Sequence, residues 1–374
     1  MPSPNCSTSM ADPLPAIKDM DEAALQTQFS AWGERPFRLK QLREWLYGEH
    51  FALGFDEMAN LPAALRERLA QTWRAFSLEV LQTLTDPDDG TVKWLCGLAD
   101  GQTIETVLIR VPGRTTVCIS TQVGCAVRCV FCASGRHGLV RNLTKAEILD
   151  QLVLVSRHLG RRVDNVVVMG MGEPLMNLEN LTAALDEAAR EDTLNLGARH
   201  VTISTSGIVP GIRSLAQTGR CWNLALSLHA VTDEERRLVI PDANRYPLEE
   251  IFEACAYHRQ MTGRMLTLEY ALIAGKNDSD AQLAQLAAIA RRMRAKVNLI
   301  PCNPAGAALM APTVAACRRC LQQLLERGVQ ATLRLSHGKS ISAACGQLRQ
   351  RFLEQPSSDG PNQIDPNQIE GKNT

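Results

Sequence analysis

The chain has 374 residues, enough for a barrel-sized domain with an appendage. Lysine plus arginine and aspartate plus glutamate each total 40, so the net charge of zero neither favours nor excludes a nucleic-acid partner, which needs only a local basic patch. The 12 cysteines follow a polar, proline-rich start without the apolar run of a signal peptide, and no apolar stretch approaches the roughly 20 residues that span a bilayer. These features argue against a secreted disulfide framework and a membrane protein, and we expect a reduced, cytoplasmic protein.

The first part of the chain is predicted to be helical. We expect residues 1–16 to be disordered and residues 17–75 to form a helical accessory domain, in which Asp21 can cap the first helix and Pro36 can open the second. Basic and acidic side chains alternate along this domain, a pattern typical of solvated helix faces. A nucleic-acid-binding surface is the alternative, and it stays open.

Residues 76–115 change from a helical to an alternating pattern. Three short β-rich runs are separated by the turn sequences Asp88-Asp89-Gly90 and Ala99-Asp100-Gly101, which predict a small antiparallel β extension. Glu105 lies in the last of these strands, and its carboxylate can face either side of the sheet.

From residue 116 to 348, short β-rich runs alternate with longer amphipathic ones, which predicts parallel strands joined by crossover helices. We therefore predict an α/β fold with a partial (β/α)6 TIM-like barrel whose functional face lies at the carboxyl ends of its strands. The predicted strands are 117–121, 165–169, 200–205, 223–228, 267–273, 296–300 and 332–335, and the predicted helices are 145–159, 178–190, 212–218, 248–262, 280–294 and 312–327. Residues 349–374 contain a loose polar repeat, which predicts a largely disordered tail.

The first predicted parallel strand runs into a cysteine-rich loop. Cys125, Cys129 and Cys132 follow the pattern C-x3-C-x2-C, and Phe131 precedes the last cysteine. Three thiolates at this spacing can bind three irons of a [4Fe-4S] cluster and leave the fourth iron open to a small molecule. A zinc site, with His137 as the nearest further ligand, and three packed core thiols are the alternatives. The pattern is similar to the cluster loop of radical S-adenosylmethionine enzymes.

Polar groups and glycines follow the other predicted strands. Gly172 would let the backbone approach a ligand, and Glu173 could accept an ammonium group. Ser204, the run 227–229 and Asn303 offer hydroxyl, imidazole and amide groups at the same rim. Their recurrence on one face of the barrel favours a binding site over unrelated polar strand ends.

Taken together, these segments resemble the RlmN/Cfr family of radical S-adenosylmethionine RNA methyltransferases, and its RlmN branch most. The resemblance covers residues 35–348 and is specific because many motifs match at once. The motifs are Pro36-Phe-Arg, Phe55-Asp-Glu-Met, Asp89-Gly-Thr-Val-Lys, Ile104-Glu-Thr-Val, Cys118-Ile-Ser-Thr-Gln-Val-Gly-Cys-Ala-Val-Arg-Cys-Val-Phe-Cys-Ala, Met169-Gly-Met-Gly-Glu-Pro-Leu-Met-Asn, Ser204-Thr-Ser-Gly, Ser227-Leu-His-Ala, Leu299-Ile-Pro-Cys-Asn-Pro and Ala343-Ala-Cys-Gly-Gln-Leu.

The resemblance implies roles for the matching residues. Cys345 matches a cysteine that is first methylated, Glu105 a base, and Cys118 a second cysteine that resolves the intermediate. It also implies S-adenosylmethionine, two molecules per turnover, as cofactor with the [4Fe-4S] cluster. The implied cluster ligands are Cys125, Cys129 and Cys132, and the implied cofactor-binding residues are Gly172, Glu173, Ser204, Ser227, Leu228, His229 and Asn303.

The implied reaction is methylation of C2 of an adenine in 23S rRNA and in tRNA. That carbon is electron-poor and cannot attack a sulfonium methyl group, so the family uses a radical made from the methyl group on Cys345. Glu105 then removes the ring proton, and Cys118 forms a transient disulfide that frees the base. An external electron donor such as flavodoxin or ferredoxin, a monomeric state and the absence of a membrane partner complete these expectations.

Several alternatives stay open. A Cfr-like enzyme would methylate C8 with the same cysteines, and an RNA-binding paralogue would keep a structural cluster without methylation. The segment His337-Gly-Lys-Ser-Ile-Ser lacks an acidic residue that the family usually has before the catalytic cysteine. This change and two others near the substrate entrance leave the choice of rRNA, tRNA or both undecided.

Overall fold

A computed structural model of the chain describes residues 14–303, 309–335, 348–349 and 352, without the side chains of residues 243 and 244. The helices are α1 (Glu22–Ala31), α2 (Pro36–Tyr47), α3 (Ala63–Thr72), α4 (Lys145–Leu159), α5 (Leu178–Ala189), α6 (Val209–Gln217), α7 (Asp233–Val239), α8 (Leu248–Thr262), α9 (Asp280–Met293) and α10 (Val314–Glu326). The strands are β1 (Glu79–Thr85), β2 (Val92–Gly97), β3 (Thr103–Val111), β4 (Arg114–Cys118), β5 (Gln122–Gly124), β6 (Leu139–Asn142), β7 (Asn165–Val168), β8 (Val201–Thr205), β9 (Asn223–Ser227), β10 (Thr267–Leu272), β11 (Lys296–Pro301) and β12 (Ala331–Leu333). In this part of the chain, every helix is too short or too polar to cross a membrane.

The amino-terminal helices are fixed to the rest of the chain by buried polar contacts. The Asp21 carboxylate caps α1 by accepting from the Ala24 amide, as its sequence position predicts. The Lys18 ammonium pairs with the Asp150 carboxylate of α4, and both side chains are buried. Ala16, the last residue of the segment predicted to be disordered, is buried and forms a β-bridge with Arg74.

Ten strands form one mixed sheet in the order β1-β2-β3-β4-β7-β8-β9-β10-β11-β12. Strands β1 to β4 pair antiparallel, whereas β4, β7 and every later strand of the sheet pair parallel. The predicted α/β fold is therefore confirmed, and the β extension continues into the parallel sheet through β4. Among the described residues, no pairing joins β1 to β12, so the sheet is open there.

Strand register places widely separated residues on one side of this sheet. Val107 of β3 lies opposite Cys118 of β4, and Cys118 lies opposite Val167 of β7. Val167 lies opposite Thr202, two residues before Ser204, and Ser204 lies opposite Ala225, two residues before Ser227. Ser227 lies opposite Glu269, and the pairing continues to Asn298 and Thr332. Because side chains alternate between the two faces of a strand, these residues share one face, which we call the polar face. The opposite face carries apolar side chains in the hydrophobic core, including Val166, Ile203, Leu226, Leu268 and Val297.

Candidate active site

A short hairpin holds the two ends of the cysteine loop together. Strands β5 and β6 pair on either side of the loop, and the Cys125 amide donates to the Gly138 carbonyl at 3.0 Å. The close approach requires glycine at position 124, since its φ is +77° and a Cβ there would lie 1.9 Å from the Gly138 oxygen. Within the loop, the Cys132 amide donates to the Cys129 carbonyl at 3.0 Å. The three cysteines are thus held on one compact turn.

The three thiols suit an iron-sulfur cluster. Cys125 is buried, while Cys129 and Cys132 are partly exposed. The charge of Cys132 acts on Cys125, and the charges of Cys132 and Cys125 act on Cys129. Burial raises the pKa of the Cys125 thiol to about 12, so iron binding must displace its proton. In the described residues, no three Cys, His, Asp or Glu side chains surround a single metal ion. A [4Fe-4S] cluster binds each thiolate to a separate iron, and the all-sulfur donor set fits that group.

Glu173 connects the ends of β7 and β8 beside this loop. One carboxylate oxygen accepts from the Ser206 amide at 2.7 Å and hydroxyl at 2.8 Å, and the other accepts from the Leu175 amide at 3.2 Å. Burial raises the pKa of Glu173, and the hydrogen bonds from Ser206 oppose that shift. The charge of Glu173 also acts on Cys129. Its position between the strand ends and the cysteine loop agrees with the predicted rim.

The other predicted cofactor-binding residues lie at neighbouring strand ends. The hydroxyls of Ser204 and Ser227 are 3.1 Å apart, and the buried Leu228 donates its amide to the Glu269 carbonyl at 3.0 Å. Asn303 is exposed just after β11. Because parallel strands end at the same edge of a sheet, all three strand ends open toward one rim.

His229 links that rim to the cysteine loop. Its Nδ1 accepts from the Ala271 amide at 2.9 Å, and its ring meets the Phe131 ring edge-on at a centroid distance of 4.9 Å. Burial lowers the pKa of His229 to about 3, with a further lowering by the Arg236 charge, so the imidazole is neutral. A neutral ring with Nδ1 accepting carries its proton on Nε2.

Arg236 is a central residue of the rim that the sequence reasoning missed. The residue is 1% exposed. Its guanidinium donates from Nε to the Leu228 carbonyl at 3.1 Å and from Nη2 to the carbonyls of Ser227, at 3.2 Å, and Ser206. Burial lowers the pKa of Arg236, whereas Cys129 raises it. Arg236 lies on α7, a helix that was not predicted. Thr232, which caps α7 by accepting from the Glu235 amide, is the signal that could have revealed it.

The residues predicted for base and resolving chemistry lie on the polar face. Glu105 is 2% exposed, and its Oε2 pairs with Lys93 Nζ at 2.8 Å. Its Oε1 accepts from the Arg349 amide at 2.7 Å. Cys118 is buried one strand away, on the face that Glu105 shares. Cys345 lies outside the described residues. Arg349, the first residue of the predicted tail, is buried, and its Nε also donates to the Thr103 hydroxyl at 3.2 Å.

Comparisons with known proteins agree with this geometry. A model of the ribosomal RNA large subunit methyltransferase N-terminal domain matches residues 16–74, and a model of the radical SAM superfamily matches residues 119–287. The chain is 40% identical over 337 residues to a probable dual-specificity RNA methyltransferase RlmN of Desulforamulus reducens, covering 90% of this chain and 96% of that protein. It is 45% identical over 343 residues to the protein of the same description from Symbiobacterium thermophilum, covering 91% of each.

A solved structure extends the likeness to three dimensions. The crystal structure of a radical SAM methyltransferase from Sphaerobacter thermophilus superposes with a TM-score of 0.85 and 44% identity, covering 89% of this chain and 98% of that one. The superfamily implies a [4Fe-4S] cluster and S-adenosylmethionine, for which the thiols and the polar rim provide a fitting site. Relatives this similar over nearly their whole length establish that the chain belongs to the RlmN family of radical S-adenosylmethionine RNA methyltransferases.

Proposed function

We propose that the protein methylates C2 of an adenine in 23S rRNA and of an adenine in tRNA through a methyl group carried on Cys345. The observation that carries the proposal is the polar face that Glu105 and Cys118 share. Arg349, four residues after Cys345, donates its amide to Glu105 on that face. The names of the RNA methyltransferase relatives support the dual substrate.

Each residue has one task in this proposal. The bound cluster and S-adenosylmethionine supply the radical chemistry that an unreactive ring carbon requires. Glu105 accepts the proton of ring C2 from the intermediate in which Cys345 is bonded to the base through a methylene group. The Cys118 thiolate then attacks the sulfur of Cys345, so that a sulfur–sulfur bond forms as the sulfur–carbon bond breaks. The electron pair of the broken bond stays on the methylene carbon, which takes up a proton and becomes the methyl group of the base.

The rim residues bind and orient the cofactor in this proposal. The Ser206 hydroxyl bonds to the carboxylate of Glu173, and the hydroxyls of Ser204 and Ser227 lie 3.1 Å apart at the neighbouring strand ends. The neutral His229 packs on Phe131 and excludes water from the side of the cysteine loop. An external flavodoxin or ferredoxin as electron donor and a monomeric enzyme complete the proposal.

The test is nucleoside mass spectrometry after turnover. The protein is reconstituted anaerobically with iron and sulfide, then incubated with S-adenosylmethionine, a reductant and an unmodified 23S rRNA fragment or tRNA. We expect 2-methyladenosine from both RNAs. Formation of 8-methyladenosine would instead assign the Cfr-like reaction, and cofactor cleavage without a methylated base would contradict these substrates.

A further inference from the structure

Lys93 forms a buried ion pair with the proposed base. Its Nζ lies 2.8 Å from Oε2 of Glu105, and the two side chains are 0% and 2% exposed. Lys93 lies opposite Val107 in the pairing of β2 with β3, and Val107 lies opposite Cys118 in the pairing of β3 with β4. The ammonium group therefore belongs to the same polar face as the base and the resolving cysteine.

Packing alone gives a weak reason for a lysine at this position. Removing an ammonium and a carboxylate from water costs several kcal/mol for each ion, and their attraction only offsets that loss. Apolar side chains of similar volume often stabilise a core as well or better. The neighbouring core position Leu95, opposite Glu105 in the sheet, is apolar and fully buried. The charge of Lys93 thus points to a role in the chemistry of Glu105.

The carboxylate of Glu105 is held from two sides. Oε2 faces the Lys93 ammonium, and Oε1 accepts from the Arg349 amide at 2.7 Å. Arg349 itself is fixed to the start of β3, because its Nε donates to Thr103 at 3.2 Å.

We propose that Lys93 is a positioning residue for the proton transfer from adenine, an inference that rests on the proposed function of Glu105. The ammonium balances the charge of the carboxylate and holds it in one orientation relative to the ring. In this step the C2–H bond of the covalent intermediate breaks, the proton moves to a Glu105 oxygen and the bonding electron pair stays with the intermediate.

The test uses RNA whose target adenine carries deuterium at C2. Lys93→Met should slow formation of 2-methyladenosine roughly 10- to 100-fold, because a misplaced catalytic group loses rate on that scale. The ratio of rates with protium and deuterium should rise well above that of the wild-type enzyme, since proton removal becomes limiting. S-adenosylmethionine affinity and methylation of Cys345, read by peptide mass spectrometry, should stay unchanged. Lys93→Arg, which keeps the charge, should restore most of the rate.

Lys18→Met is the matched control. Lys18 is an equally buried lysine that pairs with Asp150 at the amino-terminal helices. This control should lower the free energy of unfolding without changing the isotope ratio. If Lys93→Met does not fold, Lys93→Gln replaces it with the same expected isotope ratio.

Two outcomes separate this proposal from the function on which it rests. Wild-type protein that forms no 2-methyladenosine would overturn the proposed function and the role of Lys93 together. Wild-type turnover with an unchanged isotope ratio in the Lys93 variants would overturn the positioning role alone. Equal loss of Cys345 methylation and of adenine methylation would likewise assign Lys93 to structure only.

Discussion

Arg236 holds two strand ends of the rim together, and its removal is the most direct test of the site's architecture. The guanidinium donates to the carbonyls of Ser206, after β8, and of Ser227 and Leu228, at the end of β9. Arg236→Met keeps an unbranched apolar chain of similar length and removes every donor. Three carbonyl groups beside the cysteine loop would then lack this partner.

The expected loss follows from those contacts. A buried acceptor left without a donor costs about 1–3 kcal/mol, which gives an upper range of roughly 3–9 kcal/mol for three carbonyls. Two effects reduce that range. Burial lowers the pKa of Arg236, which means that the charged group itself is costly to bury, and water can reach part of the loosened rim. We therefore expect the free energy of unfolding to fall by about 3 kcal/mol.

Urea unfolding of the apoprotein measures this change, and Arg237→Met is the matched control. Arg237 is the next residue of α7 and is exposed, so its variant should stay within about 0.5 kcal/mol of the wild type. Arg236→Met should also retain less iron after reconstitution, because Cys129 lies within the electrostatic influence of Arg236. Equal stability and equal iron content in the two variants would refute the bracing role of Arg236.

Three further predictions concern the reaction, the fold at low pH and the rim. Cys118→Ala should trap RNA covalently on the protein, whereas Cys345→Ala should form no adduct, as denaturing gels would show. Cys96 is a buried thiol on the apolar side of the sheet, and the control variant Cys96→Ala should stay active. Burial lowers the pKa of His258 from 6.5 to about 4, so between those pH values the unfolded chain binds more protons than the folded chain. The free energy of unfolding, measured with urea, should therefore fall as the pH decreases from 6.5 to about 4. His258→Leu should reduce this pH dependence by up to about 1.4 kcal/mol per pH unit. Gly172 has a φ of +112°, and the Cβ of Gly172→Ala would lie 2.7 Å from a neighbouring side-chain carbon, so the variant is strained. Calorimetry should show that it binds S-adenosylmethionine more weakly.

The parallel strands could be predicted because each carries a local signal. The apolar run Val166–Val168 predicted a strand at 165–169, and β7 spans Asn165–Val168. Similarly, α4 begins and ends as predicted, at Lys145–Leu159, because Thr144 and Glu147 form a capping box and Gly160 ends the helix with a positive φ. Periodic apolar faces and capping residues act over a few positions, so a sequence displays them directly.

The contacts that assemble the candidate site do not have such a signal. The Glu105 and Arg349 positions are separated by 244 residues, and only the folded chain brings them together. The hairpin of β5 and β6 has strands of 3 and 4 residues, too short for a recognisable alternating pattern. The sequence motifs therefore identified which residues to expect at the site, while the partners of Glu105 and the role of Arg236 required the structure.

Register connects the fold to the proposed chemistry more closely than any single motif does. Cys118 faces the polar side of the sheet because β4 pairs with β3 and β7 in one alignment. A slip of one residue would turn Cys118 toward the helices and bring Val117, a fully buried core residue, to the polar face. The hydrophobic core penalises that slip, because it would take Val117 out of the apolar packing and put Cys118 in its place. The apolar packing of the opposite face thus fixes the alignment that puts Cys118 on the same face of the sheet as Glu105.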